Sequence, residues 1–310
     1  MPDGGGDRLP ATGYRLRPMS DVINVDFLFA TLRMATPLLF AAMGGLLSER
    51  SGVMNIALEG LMLIGAFTAV AGTHYLHDPW LGLLCAVVAA GAGGAVHAFW
   101  CITLRADQIV AGTAINLLGL GTTAFLIQQI WGRAGQTGSV EKLPTIGHGL
   151  SVLVPIAFVL VPVIHYLLFV TKPGLRIQAA GEHPRAAESV GIPVPLYRYA
   201  CVIASGVLAG LGGAALSIGD LSFFTREMTQ GRGFIALAAV IFGNWTPFGT
   251  LGATLLFAAS QAFQIRAQAA GLGISKDLLL ALPYVLTLVA IAGVVRRSRP
   301  PAGLGQHATD

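Results

Sequence analysis

The sequence predicts an all-α protein that crosses a membrane many times. Of its 310 residues, 54% are hydrophobic and only 11% are charged, and the mean hydropathy is +0.70. Soluble domains carry about 25% charged residues. The apolar runs recur along nearly the whole chain, and several exceed the length that crosses roughly 30 Å of hydrocarbon. These observations predict a polytopic helical membrane protein with about 8–10 transmembrane helices.

Polar residues separate the apolar runs into nine candidate spans. The runs cover residues 27–47, 53–73, 80–104, 109–131, 151–171, 199–219, 233–243, 249–265 and 278–296. The seventh run is too short to cross as a helix. A polar stretch that ends in Pro247 follows it, so we expect a short or re-entrant segment near 233–247.

One transmembrane domain over residues 26–297 is expected, since no polar stretch between the runs has room for a soluble domain. Residues 1–25 are predicted to be a flexible tail, because they lack the apolar core of a signal peptide. Residues 298–310 are predicted to be a C-terminal tail. The longest polar interruption is a loop at 172–198.

Basic residues set the expected orientation, because short cytoplasmic loops are rich in Lys and Arg. The loop at 172–198 and the end of the last run hold the strongest clusters: Lys172, Arg176, Arg185, Arg198, Arg296, Arg297 and Arg299. Both should be cytoplasmic. Nine complete crossings would then place the N-terminus outside, whereas the arginines at 8, 15 and 17 favour the inside. A broken or re-entrant segment near 233–247 would reconcile the two rules.

Four residues are candidates for a substrate path. Glu59 is acidic within an apolar run, which costs several kcal/mol on insertion scales unless the side chain faces protein or water. Asn55 is predicted one turn before it on the same helix face. Asn116 is polar within the fourth run, and Phe234 begins the short seventh run. The polar groups could instead bond to neighbouring helices. Arg33 is not an expected partner of Glu59, since the two lie roughly 10 Å apart in depth.

The loop at 172–198 contains signals for one short helix. Pro184 suits a first helical turn and Gly191 a left-handed stop, which predicts a helix of about two turns between them. Its small apolar residues, Ala186, Ala187 and Val190, would suit docking into a cleft on a soluble partner.

Other chemistry is not indicated. The three cysteines and seven histidines show no metal-ligand spacing. The sequence contains no GxxxxGK[ST] phosphate loop, so any ATPase must be another polypeptide. It also lacks GxSxG and HExxH motifs, so an intramembrane enzyme is not expected. The net charge of +4 forms no basic stripe, and nucleic acid is not an expected partner.

Three motifs resemble the permease subunits of bacterial ABC importers, in their nucleoside (guanosine-type) branch. They are residues 36–39 (TPLL), 44–60 (GGLLSERSGVMNIALEG) and 231–243 (GRGFIALAAVIFG). The broader family includes ribose and branched-chain amino-acid permeases. The resemblance covers roughly residues 30 to 295, and residues 181–191 (GEHPRAAESVG) look like the segment that contacts the ATPase.

The resemblance implies a machine of several chains in the bacterial inner membrane. The transporter would contain two permeases side by side, and the second would be a longer related chain. Two ATPase subunits would bind at the cytoplasmic face, and an extracytoplasmic lipoprotein would deliver the substrate. No cofactor would bind to this chain, and ATP would act through the partner subunit. The implied ATPase-coupling residues are Glu182, Pro184, Arg185, Ala186, Ala187, Glu188 and Gly191. Arg185 stands where the wider signature has Glu.

Two alternatives remain open at this point. Simple-sugar uptake is a close one, because ribose is part of a nucleoside and the two branches are related. An ion-coupled secondary transporter, with Glu59 as its coupling site, belongs to a different class. The proline-bounded loop helix counts against it.

Overall fold

The computed structural model describes residues 24–270, 278, 285 and 299–306, and most of these residues are helical. The helices are α1 (Val25–Arg50), α2 (Leu58–Leu76), α3 (Pro79–Ala98), α4 (Gln108–Trp131), α5 (Leu153–Val170), α6 (Lys172–Glu182), α7 (Pro184–Ser189), α8 (Val194–Ala214), α9 (Arg232–Phe242) and α10 (Pro247–Ala270). Helices α3 and α8 continue as π-helix over Phe99–Thr103 and Ala215–Leu221. Strands β1 (Thr145–Ile146) and β2 (Leu150–Ser151) form a small antiparallel hairpin.

Helix α1 is the central element of the bundle. Its residues from Ala35 to Glu49 are all buried, as expected of a helix that is apolar on every side. It packs against α5, α8, α9 and α10, while α2 packs against α3, α4 and α8. The core therefore consists of helices packed around α1. Helix α8 contacts both α1 and α2 and so joins the two groups of helices.

The structure confirms a polytopic helical protein. Within the described ranges, five helical segments are long and apolar enough to cross a membrane: Val25–Arg50, Pro79–Thr103, Gln108–Trp131, Leu153–Val170 and Val194–Leu221. Helices α2 and α10, with 19 and 24 residues, are of comparable length. Apart from residues 278 and 285, the ninth predicted span, 278–296, lies outside the described residues, as do residues 1–23 of the predicted tail.

Two stretches differ from the sequence prediction. The second span does not begin at residue 53, because the chain is non-helical from Gly52 to Ile56 and α2 starts at Leu58. The loop at 172–198 contains α6 in addition to the predicted short helix. Helix α6 is capped by the Thr171 hydroxyl, which accepts a hydrogen bond from Gly174 N at 3.2 Å.

The direction of the chain follows from contacts at the two ends of α1. At the end that we call upper, Arg266 of α10 donates to the Asn24 side chain at 2.9 Å. At the lower end, the turn after α1 meets residues 303–306, where Gly305 N donates to Gly52 O at 3.1 Å. A helix of 26 residues is about 39 Å long. Asn24 and residues 299–306 therefore lie at opposite ends of the bundle.

The short helix α9 does not reverse the chain. The segment before it pairs with the loop between α4 and α5, which lies at the upper end: Thr137 N donates to Phe224 O at 2.9 Å. The turn after it reaches the lower end, where Arg50 Nε donates to Trp245 O at 2.8 Å. The prediction of a short or re-entrant segment is thus confirmed in its first form. The segment is a broken crossing, with a non-helical upper half joined to the short helix α9.

Close helix contacts depend on glycine. A Cβ atom on Gly213 of α8 would lie 2.0 Å from Met62 O of α2, and one on Gly65 would lie 2.5 Å from the Gly210 Cα. Small residues let backbones approach where no hydrophobic driving force acts between helices in lipid. Gly121 of α4, by contrast, has nothing within 4 Å of its Cβ direction.

We expect Gly213→Ala to force α2 and α8 apart and to lower the melting temperature in detergent by on the order of 5 °C or more. Gly121→Ala is the matched control, since its methyl group meets open space. It should leave the melting temperature unchanged or raise it slightly, because alanine favours a helix. Equal melting of the two variants would contradict this account of the α2–α8 crossing.

Candidate functional site

Two helices begin inside the bundle, and their N-termini meet. Helix α2 starts at Leu58 after the non-helical segment, and α9 starts at Arg232 after the broken half of its crossing. A Cβ atom on Gly233 would lie 2.4 Å from Glu59 N. The first turns of α2 and α9 are therefore in direct backbone contact, which only glycine at 233 permits.

The Glu59 carboxylate joins these two helix starts. Its Oε1 accepts hydrogen bonds from the Thr229 hydroxyl and from Gly231 N, the latter at 2.7 Å. Its Oε2 accepts from Gly233 N at 2.7 Å. The first N–H groups of a helix have no intrahelical partner and attract negative charge. Glu59 thus supplies the acceptors that the start of α9 lacks.

Asn116 of α4 serves the start of α2 in the same way. Its Oδ1 accepts from Gly60 N at 2.7 Å, and its Nδ2 donates to Ile56 O at 2.9 Å. Asn55 completes the arrangement, because its Oδ1 accepts from Ala57 N at 3.1 Å and its Nδ2 donates to the Ser205 hydroxyl at 2.8 Å. The interrupted backbone between α1 and α2 is thereby paired inside the protein.

An open cavity of about 460 Å³ lies beside this junction. Glu59, Asn116 and Phe234 line it together with Thr229 and Gln230, and Leu63, Leu117 and Leu120 give it an apolar wall. Leu117 is 65% exposed and Phe234 is 49% exposed, so the cavity opens sideways between α4 and α9. A site with an aromatic ring, apolar walls and a few polar groups suits a small solute that is partly apolar.

The structure brings three of the four predicted path residues together. Asn55 is not among the lining residues of the cavity. It is fully buried and non-helical, so the prediction that Asn55 and Glu59 share one helix face is wrong. The reason is the late start of α2, which sequence periodicity did not indicate. Thr229 and Gln230 were not predicted, although a polar stretch ahead of a short apolar helix was the available signal.

The lower end carries the predicted short helix. Helix α7 begins at Pro184, and Gly191 has the left-handed φ of +83° expected of a stop, which confirms that prediction. The face of this helix differs from the expectation. Ala187 is only 4% exposed and packs against Ala180 and Val194, whereas Val190 is 75% exposed. The outward face of α7 is formed by exposed residues that include Arg185, Ala186 and Glu188.

Contacts of Glu182 and of residues 299–306 stabilise the lower end of the bundle. Glu182 Oε2 accepts from Ala302 N at 3.1 Å, and its Oε1 lies 3.9 Å from Arg50 Nη1. The buried Arg198 donates from Nη1 to Gln306 O at 2.8 Å and from Nε to Ser51 O at 3.2 Å. The described part of the predicted C-terminal tail therefore packs on α6, α8 and the turn after α1.

A second set of contacts joins α9 to the lower end of α1. The Trp245 indole N–H donates to the buried Glu49 carboxylate, and Arg50 binds the backbone of the same residue. Asn244, beside it, accepts from Arg299 N at 2.9 Å. Helix α9 is thus anchored near its upper end by Glu59 and just past its lower end by Glu49 and Arg50.

These features define a class of protein. A bundle with several membrane-spanning helices, two helix starts inside it, a lateral cavity at their meeting point and a short helical unit at one end is a polytopic membrane permease. The chain belongs to the family of permease components of the branched-chain amino acid transport system, whose profile matches residues 27–291.

Relatives cover most of the chain. The guanosine ABC transporter permease protein NupQ of Bacillus subtilis is 41% identical over 89% of this chain and 94% of its own length. The nucleoside ABC transporter permease protein NupC of Lactococcus lactis is 36% identical over 87% and 92% of the two chains. The putative glucose ABC transporter permease protein TsgC13 of Haloferax volcanii is 37% identical over 84% of each.

We expect Glu59→Gln to weaken the junction of α2 and α9. The amide keeps one acceptor oxygen but loses the negative charge, which should cost about 1–3 kcal/mol of stability. Uptake by the assembled transporter should fall roughly tenfold or more, because the start of α9 forms a wall of the cavity.

Glu141→Gln is the matched control for this experiment. Glu141 is an exposed carboxylate in the loop between α4 and α5 and is not among the residues that line the cavity. Exposed substitutions of this kind change stability by only about 0.5 kcal/mol. Similar losses of melting temperature and uptake in both variants would show that Glu59 acts only as surface charge.

Proposed function

We propose that this chain is the permease subunit of an ATP-binding-cassette importer that takes up nucleosides. The main support is its similarity over most of both chains to permeases described for guanosine and for nucleosides. In this proposal the lateral cavity belongs to the substrate path, with Glu59, Asn116 and Phe234 at its wall. The solute would cross between states that open alternately to each side of the membrane.

The chemistry of the cavity supports a nucleoside. A nucleobase has a flat apolar face with polar edges, and a ribose has hydroxyl groups. Phe234 offers an aromatic surface, and Thr229 and Gln230 lie near it among the polar lining groups. The Glu59 carboxylate is already bonded by three protein donors, so its role is to fix the wall of the path.

A second permease subunit would close the open side of the cavity. Glu227 and Gln230 are exposed at this opening, and ionised or amide side chains facing hydrocarbon cost several kcal/mol. A partner chain against the exposed faces of α4 and α9 would remove them from lipid. The proposed partner is a related permease, as in the heterodimers that the family resemblance implies.

The lower end is the proposed docking surface for a separate ATPase subunit. Helices α6 and α7 form a helical unit beside the membrane spans, and the outward residues of α7 are exposed. We place this end and the C-terminus in the cytoplasm of a bacterial cell, with the protein in its inner membrane. The opposite end would then receive substrate from an extracytoplasmic binding lipoprotein. ATP would act through the partner, and this chain would bind no cofactor itself.

Sugar uptake is the second candidate, because a relative described as a putative glucose permease is 37% identical over 84% of this chain. A competition assay separates the two. Uptake of tritiated guanosine by cells that express the complete transporter should be reduced by unlabelled nucleosides and not by glucose or ribose. If glucose but not unlabelled nucleosides reduced guanosine uptake, sugar uptake would be the better assignment.

The same cells test the source of energy. Uptake should stop when the ATPase subunit carries a substitution in its phosphate loop, and it should survive collapse of the proton and sodium gradients. Transport by this chain alone in vesicles, driven by an ion gradient, would contradict the proposal.

We expect Val190→Glu and Ala186→Glu to reduce co-purification of the ATPase without lowering the melting temperature of the permease, because both side chains point outward. Ile146→Glu places the same group at an exposed position of the upper hairpin and should leave co-purification unchanged. Ala187→Glu should instead lower the melting temperature, since it puts a charge into the α6–α7–α8 contact. Normal assembly of the Val190 and Ala186 variants would show that docking occurs elsewhere.

A further inference from the structure

A second, smaller cavity lies above the first. It has a volume of about 200 Å³ and is lined by residues of α1, of the π-helical end of α8 and of the segment before α9. Arg33, Asp220 and Arg232 are its charged residues, and Gln230 lines both this cavity and the lateral one. Its volume equals that of about seven waters in the liquid, which is room for one small solute.

Two of the residues that line this cavity carry unpaired donors. The Nε atoms of Arg33 and Arg232 are both buried and have no hydrogen-bond partner. Arg33 Nε lies 3.5 Å from Asp220 Oδ1, close enough for attraction but without hydrogen-bond geometry. A buried N–H without an acceptor costs about 1–3 kcal/mol. A ligand that brings acceptor atoms would remove this cost.

Asp220 adds an acceptor opposite the donors. It lies in the π-helical stretch Ala215–Leu221, an irregularity that is often found at functional sites. Its backbone oxygen accepts a hydrogen bond from Lys142 Nζ at 2.6 Å, so Lys142 contacts the main chain of Asp220 and not its carboxylate. A carboxylate can accept hydrogen bonds from two hydroxyl groups at once.

The charges around the cavity favour a neutral ligand. Arg232 interacts electrostatically with both Glu59 and Asp220, and Arg33 contacts Asp220. Glu59 lies outside the lining of this cavity but compensates Arg232. With Glu59 included, the two guanidinium groups and the two carboxylates have a total formal charge of zero. A phosphorylated solute would bring uncompensated negative charge, whereas an uncharged polar solute would not.

The apolar lining and the donors together point to a purine. Met34, Leu216 and Met228 line the cavity beside the arginines, and methionine adapts well to flat apolar surfaces. Arginine recognises the O6 and N7 acceptors of guanine through its N–H groups. A nucleoside brings these acceptors and two ribose hydroxyls in one uncharged molecule.

We propose that this upper cavity is an entry subsite for a purine nucleoside, with the base on Arg33 and Arg232 and the ribose hydroxyls on Asp220. The inference rests on the proposed function and adds a second binding site to its substrate path.

The segment 227–231 separates the upper cavity from the lateral cavity. Glu227, Gln230 and Gly231 in this segment have φ values of 58°, 46° and 81°, and Glu59 holds the segment through Thr229 and Gly231.

The test measures binding to the complete transporter in lipid nanodiscs without the binding protein. Tritiated guanosine is compared with its dideoxy analogue, which lacks both ribose hydroxyls. Asp220→Asn should weaken guanosine binding roughly 10- to 100-fold, as expected for hydrogen bonds to a charged group. It should change binding of the dideoxy analogue less than about threefold, since that ligand makes no bond to Asp220. Equal effects on the two ligands, or no effect on either, would overturn the inference.

Lys142→Met is the matched control. It removes the contact to the Asp220 backbone but keeps the carboxylate, and it should leave the affinities for both ligands unchanged. A Lys142→Met variant that selectively weakens guanosine as Asp220→Asn does would count against direct recognition by the carboxylate.

Photolabelling of the wild-type complex with azido-guanosine decides the question if Asp220→Asn fails to assemble. Label on peptides that contain Met34, Leu216 or Met228 supports the subsite, and label confined to residues of the lateral cavity, such as Leu117 and Phe234, overturns it. Failure of the proposed function has a different signature: the wild-type cells would not take up guanosine at all. If wild-type cells take up guanosine but Asp220→Asn leaves guanosine binding unchanged, the upper subsite is contradicted and the proposed function is not.

Discussion

The backbone of a membrane protein must pair its N–H and C=O groups within the protein, because hydrocarbon offers no partners. This constraint explains the middle of the bundle. Two helices begin there, and helix starts leave unpaired N–H groups. Glu59, Asn116 and Asn55 supply the missing acceptors. An acidic residue that is costly in an apolar run is stable here because three protein donors surround its carboxylate.

Hydrogen bonds between these interior groups also require that the helices approach one another closely. Glu59 can reach the start of α9 because Gly233 lies against its backbone, and Asn116 can reach Gly60 because a Cβ there would lie 2.7 Å from Ile115 O. The glycines at these crossings and the polar groups act together. A bulkier residue at 60 or 233 would separate the donors from their acceptors, which would leave polar groups unpaired at membrane depth.

The sequence was sufficient to predict the class of fold, because long apolar runs have few other interpretations. It also predicted α7 between Pro184 and Gly191, where proline and glycine have direct steric consequences. It did not predict the late start of α2. Residues 53–57 are apolar apart from Asn55, and hydropathy cannot distinguish a helix from an extended chain whose backbone is paired by distant side chains. The hydrogen-bond partners of Glu59 could not be predicted from the sequence either, because Thr229 and Gly231 lie about 170 positions further along the chain.

The position of α9 suggests how the two ends of the bundle are connected. Its 11 residues form a rod of about 16 Å. Glu59 of α2 holds the start of the rod beside the cavity, and Glu49 and Arg50 of α1 hold the turn after it. Arg50 also contacts Glu182 at the end of α6. A shift of α6 and α7 therefore acts on the same guanidinium that holds the turn after α9. Packed helices have discrete arrangements and do not deform continuously. A rod anchored at both ends would change its position as a unit, and the wall that it forms at the cavity would move with it.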